Sequence, residues 1–315
     1  MIPALVLTAG LATRLRPLSL VRAKAAMPVA GEPLVRRILR QLRMAGVREA
    51  VLNLHHLPHT IAAAVGDGSD LDLRVRYSWE PAVLGSAGGP RQALPLLDAP
   101  TFLLVNGDTL TTIDVAALVQ AHRRSRALVT LAVVLNTQPE KYGGVLAGGD
   151  GAVTGFAARG ATVPSFHFVG VQVAEAEAFT PVSPGTPAES LAGLYPALIR
   201  TRPGAVRAFV TSAEFFDIGT PGDYLRTSLL LAGREAGAAL AGARSRVDPT
   251  ARVEESILWD DVDVGAEARL ERCVVADGTR VPAGTSWTGV TLRPAIGALS
   301  AGERIANGLA VSEIA

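Results

Sequence analysis

A chain of 315 residues, 49% apolar and 19% charged, can bury a full core and has room for one large domain and a small one. Its net charge of +1, with arginines scattered along the chain, excludes the basic stripe of a nucleic-acid binder. No stretch is long enough to span a bilayer and the N-terminal apolar run is too short for a signal segment, so no membrane partner and a cytoplasmic location are expected.

The chain opens on an apolar strand, Ile2 to Leu7, which empties into Thr8-Ala9-Gly10-Leu11-Ala12-Thr13-Arg14-Leu15-Arg16-Pro17-Leu18, with Lys24 following. Small residues let a main chain approach a ligand closely, and backbone N–H groups beside two cations suit polyphosphate. The alternative is a surface turn with solvated charges. Two familiar phosphate loops are excluded. Nothing after Gly10 fits Gly-x-x-x-x-Gly-Lys-Ser/Thr, and the second strand, Ala50 to Leu54, ends in His55-His56 where a dinucleotide site needs an acid.

Further strands are expected at Leu73 to Tyr77, Thr101 to Val105 and Leu128 to Leu135, with helices starting near Pro33, Pro58, Ala87 and Ile113. Strands apolar on both faces and separated by helices indicate a doubly wound α/β domain with a mostly parallel sheet. Asn106-Gly107-Asp108 closes the strand from Thr101, and strand C-termini are where such sheets hold ligands, so Asp108 is placed to hold a divalent cation. A second acid should exist, and Asp217 in Phe215-Phe216-Asp217-Ile218-Gly219-Thr220 is the candidate. The competing accounts make Asp108 a helix cap and Asp217 a turn acid.

Between Tyr142 and Val173 glycine turns and shorter strands read as an antiparallel insertion. A helix near Ser190 to Arg200, strands at Val206 to Val210 and Glu214 to Ile218 returning to the main sheet, and a helix opened by Pro221 complete a domain over residues 1–240. Over 243–315 an apolar residue recurs every six positions, as at Leu258, Val264 and Leu270, with slips between sets. This is a short degenerate β-helix of two or three coils, each about three such units long. Its most natural use is self-association, so a homo-oligomer is expected.

The single cysteine, Cys273, cannot form an internal disulfide, no Cys/His spacing resembles a zinc site, and a reducing compartment fits. The five histidines, His55, His56, His59, His122 and His167, read as structural or surface groups; His167, on the insertion, is the one to watch. Trp79 and Trp259 read as packing residues.

Four blocks in order, the first loop with Lys24 and Pro28-Val29-Ala30-Gly31-Glu32-Pro33-Leu34, then Leu84-Gly85-Ser86-Ala87-Gly88, Asn106-Gly107-Asp108, and Asp217-Ile218-Gly219-Thr220-Pro221 with Asp223-Tyr224, resemble the sugar-1-phosphate nucleotidyltransferase family. Within it the chain is similar to the mannose-1-phosphate guanylyltransferase-like members. The resemblance implies a Rossmann-like nucleotidyltransferase domain followed by a left-handed β-helix. It also implies that a nucleoside triphosphate and a sugar-1-phosphate are the partners.

By the same resemblance, Leu7, Ala9, Gly10, Thr13, Gly85, Ser86 and Gly88 would hold the nucleotide, and Arg14 and Lys24 would act on its phosphates. Gly144 would line the sugar pocket, and Asp108 and Asp217 would bind Mg²⁺; from their own place on the insertion, Arg159 and His167 are read as further contacts to the sugar phosphate. Ala12 replaces the family's usual glycine, and Ala158-Arg159 replaces its Glu-Lys pair. The reaction so implied is in-line attack of a sugar-1-phosphate oxygen on the α-phosphorus with release of pyrophosphate. The nucleophile is already an anion, so no general base is needed. Alternative activities are uridylyl transfer to N-acetylmuramic acid 1-phosphate or glucose 1-phosphate, glycosyl transfer on a related fold, and non-catalytic sensing of nucleotide sugars.

Overall fold

A computed structural model describes residues 2–238 and 240–314. The chain divides into two compact units that do not follow chain order. One is the chain up to Gly10 with Val35–Phe216; the other is Leu11–Leu34 with the chain from Asp217 onward. A division at residue 240 would leave the segment bearing Arg14 and Lys24 with the large sheet, whereas compactness joins that segment to the C-terminal part of the chain.

The first unit is built on a nine-stranded sheet. Strand Ala4–Leu7 lies between Glu49–Leu54 and Thr101–Asn106, parallel to both, and Arg74–Trp79 continues the parallel side. The three central strands are buried on both faces, which is why the sequence there is almost unbroken Val, Leu and Ala. Phe166–Glu175 runs antiparallel between Thr101–Asn106 and Val129–Leu135, and Val206–Val210 lies parallel to the latter. The expected antiparallel insertion is present as Gly144–Ala147 and Val153–Ala157, attached through Phe166.

Three details differ from the expectation. Glu214 to Ile218 does not return to the main sheet: strand Phe215–Asp217 belongs to a separate two-stranded sheet with Thr109–Thr111. Glu214 just before it is held there by Thr112 N (3.0 Å) and Thr111 Oγ1 (2.7 Å), so short-range bonds to an outlying strand win over the sheet edge. The helix near Ser190 opens as a wide π turn, Ser190–Leu194, before Tyr195–Thr201. Trp79 is 54% exposed at the end of its strand and is not a packing residue.

In the second unit, helix Pro221–Arg234 starts on Thr220, whose Oγ1 accepts from Asp223 N at 3.1 Å, with proline in the first turn. A small hairpin pairs Pro28–Val29 with Glu32–Pro33. Its two turn residues, Ala30 and Gly31, have φ of 48° and 83°, the double left-handed turn that matches strand twist.

After Arg246 the chain winds a β-helix of three parallel sheets, each holding three strands among the described residues before a closing hairpin. Equivalent positions on successive coils are 17 residues apart, as in the bonds from Ala243 to Asp260 and from Asp260 to Asp277. Three six-residue units would need one residue more, so the apolar period must slip once per coil. That is the degeneracy visible in the sequence. The left-handed turn residues Arg244, Asp261 and Gly278, and likewise Glu255, Arg272 and Gly289, keep the same spacing. Leu258, Val264, Leu270, Cys273, Trp287 and Leu292 fill the core between the sheets.

The hairpin Arg304–Ala306 and Leu309–Glu313 pairs antiparallel with Val290–Pro294 and ends the stack. Arg293, almost wholly buried, forks onto Glu303 at 2.7 and 2.8 Å and donates to the carbonyls of Ile296 and Ala298. Burial pushes the Glu303 carboxyl up, yet Arg293 and the Ser300 N–H outweigh it and hold it below the usual glutamate range. The stability it contributes is therefore complete above the ordinary value of 4.5 and is lost as pH falls below it. Glu303→Gln should cost about 3 kcal/mol at neutral pH. Unfolding by urea, measured against pH, should show the gap to the parent closing in acid; a gap independent of pH would contradict the pairing.

Candidate functional site

In the first unit the parallel strands end together. Leu7 is in register with Asn53 on one side and Asn106 on the other, so three chain segments leave the sheet at one edge. Asn53 organises it. Its Oδ1 accepts from Thr8 N at 2.6 Å and Ala9 N at 3.3 Å, and its carbonyl accepts from the Thr8 hydroxyl. Its Nδ2 donates to Glu80 Oε1 at 2.7 Å, and Glu80 Oε2 accepts from Leu84 N at 2.9 Å. Glu80 is fully buried. Two amides expected to face a ligand are thus occupied by a side chain, while Gly10 next to them is exposed, with open space where a Cβ would stand.

The same chain of bonds leads to Gly85-Ser86-Ala87-Gly88, which opens helix Gly85–Leu97. Gly85 has φ of 75° and lies against the Glu189 carboxylate, and a Cβ on Gly88 would strike the Thr186 carbonyl. The amides of Ala87 and Gly88 both point at Ala188 O, at 2.8 and 3.2 Å. Gly88 is therefore buried and serves close packing. Ser86, half-buried, donates to Glu189 Oε2 at 2.6 Å and accepts from Ser190 N at 2.8 Å. Asn53, Glu80 and Glu189 were not anticipated; a lone Asn within Val51-Leu52-Asn53-Leu54 was the available signal.

Gly107 donates its N–H to Leu7 O at 2.9 Å, and a Cβ there would lie 2.5 Å from the same oxygen. Only glycine allows this approach, which sets Asp108 beside the turn that begins at Thr8. Asp108 is half-buried and accepts from Thr109 Oγ1 at 3.2 Å. It does not cap the following helix: Asp114 does, accepting from Ala117 N at 2.9 Å.

Next to Asn106 opens a cleft of about 850 Å³ formed by the insertion and the 191–200 segment. Gly144, Phe156, His167, Phe168, Ile199 and Arg200 are among its walls, and none of its described lining residues is acidic. Gly144 is buried against Ser165. His167 packs between Tyr142 and Phe215, with ring centroids 4.2 and 4.6 Å away. Arg159 lies exposed beyond the Val153–Ala157 strand and does not line the cleft; Arg200, not anticipated, does. His122 is a satisfied core histidine, bonded to Thr130 and Glu175 at 2.8 and 3.0 Å. His55 bonds the Glu80 carbonyl at 2.9 Å.

The second unit carries Thr13, Arg14, Lys24 and Asp217. Arg14 is exposed in the short helix Thr13–Leu15, which Ala12 precedes at φ of 47°. This left-handed conformation favours glycine, so alanine there costs about 1 kcal/mol. Lys24 opens the single turn Lys24–Ala26. A Cβ on Gly219 would lie 3.2 Å from both carboxylate oxygens of Asp217 and 3.4 Å from Asp223 Oδ2, so two acids converge where the residue between them has no side chain. Asp223 also pairs with Arg226. The donors at Asp108 and at Asp217 are hard carboxylate oxygens, which suit Mg²⁺ and not a thiolate-seeking metal. Among the described residues no group of three or more His, Cys, Asp or Glu is gathered as a metal cage.

Comparison with known proteins bears on this arrangement. The model of the family described as nucleotidyl transferase matches residues 3–232, and that described as GlmU-like, C-terminal hexapeptide matches 226–291. The chain is 31% identical over 294 residues to a mannose-1-phosphate guanylyltransferase of Mycobacterium tuberculosis, covering 90% of this chain and 82% of the relative. It is 47% identical over 118 residues to an N-acetylmuramate alpha-1-phosphate uridylyltransferase of Neisseria meningitidis, covering 37% and 51%. In fold it matches the crystal structure of HddC from Yersinia pseudotuberculosis, with a TM-score of 0.64 and 22% identity over 73% of this chain and 100% of that one.

The Asn53 network yields a direct expectation. Asn53→Ala removes the acceptor for two amides and the donor to a buried carboxylate, and should cost about 2 kcal/mol in chemical unfolding. An unfolding midpoint equal to the parent's would show that the turn does not depend on it.

Proposed function

The chain belongs to the nucleotidyl transferase family and is a sugar-1-phosphate nucleotidyltransferase, and from that premise we propose that it joins GTP and mannose 1-phosphate into GDP-mannose, releasing pyrophosphate. The observation that carries this choice is the similarity to the mycobacterial guanylyltransferase, which extends over 90% of the chain.

In this reading the exposed main chain at Gly10 and the edge formed by Leu7, Ala9 and Asp108 take the nucleotide, with Gly85, Ser86 and Gly88 shaping the wall behind it. The cleft beside Asn106 takes the sugar, with Gly144 giving room and His167 held by its aromatic neighbours. Asp108 and Asp217 would hold Mg²⁺, which neutralises phosphate charge when bound. Lys24 steadies the attacking sugar phosphate and Arg14 offsets charge on the departing pyrophosphate. The attacking oxygen is already ionised, so no side chain need remove a proton. Arg159, on its exposed turn, is left with at most a peripheral contact to phosphate. The single cysteine, Cys273, is buried with its thiol pushed up by burial, which suits a cytoplasmic setting.

A second reading, uridylyl transfer to N-acetylmuramic acid 1-phosphate, is favoured by the shorter but closer Neisseria similarity. It also draws on the cleft walls, whose described lining includes Arg200 and His167 and no acidic residue, a set that would tolerate a sugar carboxylate.

Pyrophosphate release across a grid of nucleoside triphosphates and sugar 1-phosphates separates the two. GTP with mannose 1-phosphate should give the highest kcat/KM; a maximum for UTP with the muramic acid substrate would install the second reading, and no release with any pair would overturn both. Lys24→Ala should lower kcat roughly a hundredfold with little change in nucleotide affinity. A loss confined to affinity would contradict its assigned role.

A further inference from the structure

The segment that bears Lys24 has little regular structure of its own, only the one-turn helices Thr13–Leu15, Leu18–Leu20 and Lys24–Ala26 and the small hairpin after them. Such turns do not by themselves fix a catalytic cation in space. Besides its buried Leu15, Leu18 and Met27, one anchor of this segment is the β-helix of the same unit. Arg22 reaches Asp277 through Nε and Nη2, each at 2.6 Å, and its Nη2 also meets Asp260 Oδ2 at 2.6 Å. The guanidinium lies 5.4 Å from the centre of the buried Trp259 ring.

Asp260 and Asp277 occupy the same position on successive coils, and each is set by main chain. Ala243 N donates to Asp260 Oδ1 at 2.8 Å, and Asp260 N donates to Asp277 Oδ1 at 3.0 Å. Two stacked, part-buried carboxylates repel, and one planar guanidinium satisfies both. Burial lifts the Asp277 carboxyl above the usual aspartate range in spite of Arg22, while the two acids keep the Arg22 charge secure against the same burial. This is a built socket and not a surface ion pair.

A second anchor lies on the other side of Lys24. Trp259 Nε1 donates to the Tyr224 hydroxyl at 2.9 Å, and that hydroxyl, fully buried, donates to the carbonyl of Pro28. Lys24 therefore stands between two points, Arg22 and Pro28, both tied to the Trp259 and Asp260 corner of the coils. We propose that Arg22 is a positioning residue for the transfer reaction, and that the β-helix acts on catalysis by holding Lys24 through the Asp260–Asp277 socket. The proposal rests on the catalytic role given to Lys24 above.

A double-mutant cycle tests it. Arg22→Ala should lower kcat about tenfold at nearly unchanged KM for the nucleotide, because a misplaced group loses alignment more than binding. In a Lys24→Ala background the same change should cost nothing further. Arg22→Lys, which keeps the charge but not the fork, should recover only part of the loss. Asp277→Asn offers the same cycle from the coil side if Arg22→Ala does not fold. An unchanged kcat, or losses that multiply in the double variant, would overturn the proposal and assign Arg22 to coil stability alone. Parental kcat in Lys24→Ala would instead overturn the role of Lys24 itself.

Discussion

The hydrogen bonds that Asn53 makes at the end of its strand govern the first unit's candidate site. A parallel sheet buried on both faces leaves its strand ends with unpaired main-chain groups, and each must find a partner before the edge can serve a ligand. Asn53 supplies acceptors to the turn after the first strand and passes its own donor to Glu80, which in turn closes on Leu84. Glycine at 107 lets the neighbouring strand end lie against Leu7. The exposed Gly10 and the half-buried Asp108 are what this scaffold leaves to offer. Rigid surroundings and a small polar opening are what a phosphate-handling edge needs.

The second unit solves a different problem. A β-helix of few coils has a small core, here filled by Leu258, Leu270 and Trp287 and sealed by a hairpin around the Arg293–Glu303 pair. Stacking one residue type over itself every 17 residues makes ladders, and a ladder of aspartates needs a cation. Arg22 from the loop segment supplies it. The need of the coils for charge balance and the need of the loop for a fixed position are met by the same contact.

Much of this was legible in the sequence, for identifiable reasons. Val51, Leu52, Leu103 and Leu104 announce strands buried on both faces, and the glycine turns after Tyr142 announce the antiparallel insertion. The recurrence at Leu258, Val264 and Leu270 reveals the β-helix, though not its coil length, because a one-residue slip looks like degeneracy until the register is seen. Other features were hidden. The Glu214 to Ile218 strand looks like any sheet strand, and only its bonds to Thr111 and Thr112 place it elsewhere. Glu80 meets Asn53 27 residues away and Glu189 meets Ser86 103 residues away, while Arg22 meets its acids across more than two hundred residues, distances at which spacing carries no signal.

The carboxylate at the end of the Thr101–Asn106 strand carries the central claim. Titration with Mn²⁺ followed by its electron paramagnetic resonance signal, with saturating nucleotide present, reads that site directly. Asp108→Asn should weaken Mn²⁺ binding by roughly tenfold or more relative to the parent protein. Equal affinity in a folded Asp108→Asn protein would contradict the claim, because the sheet edge would then have no part in holding the cation.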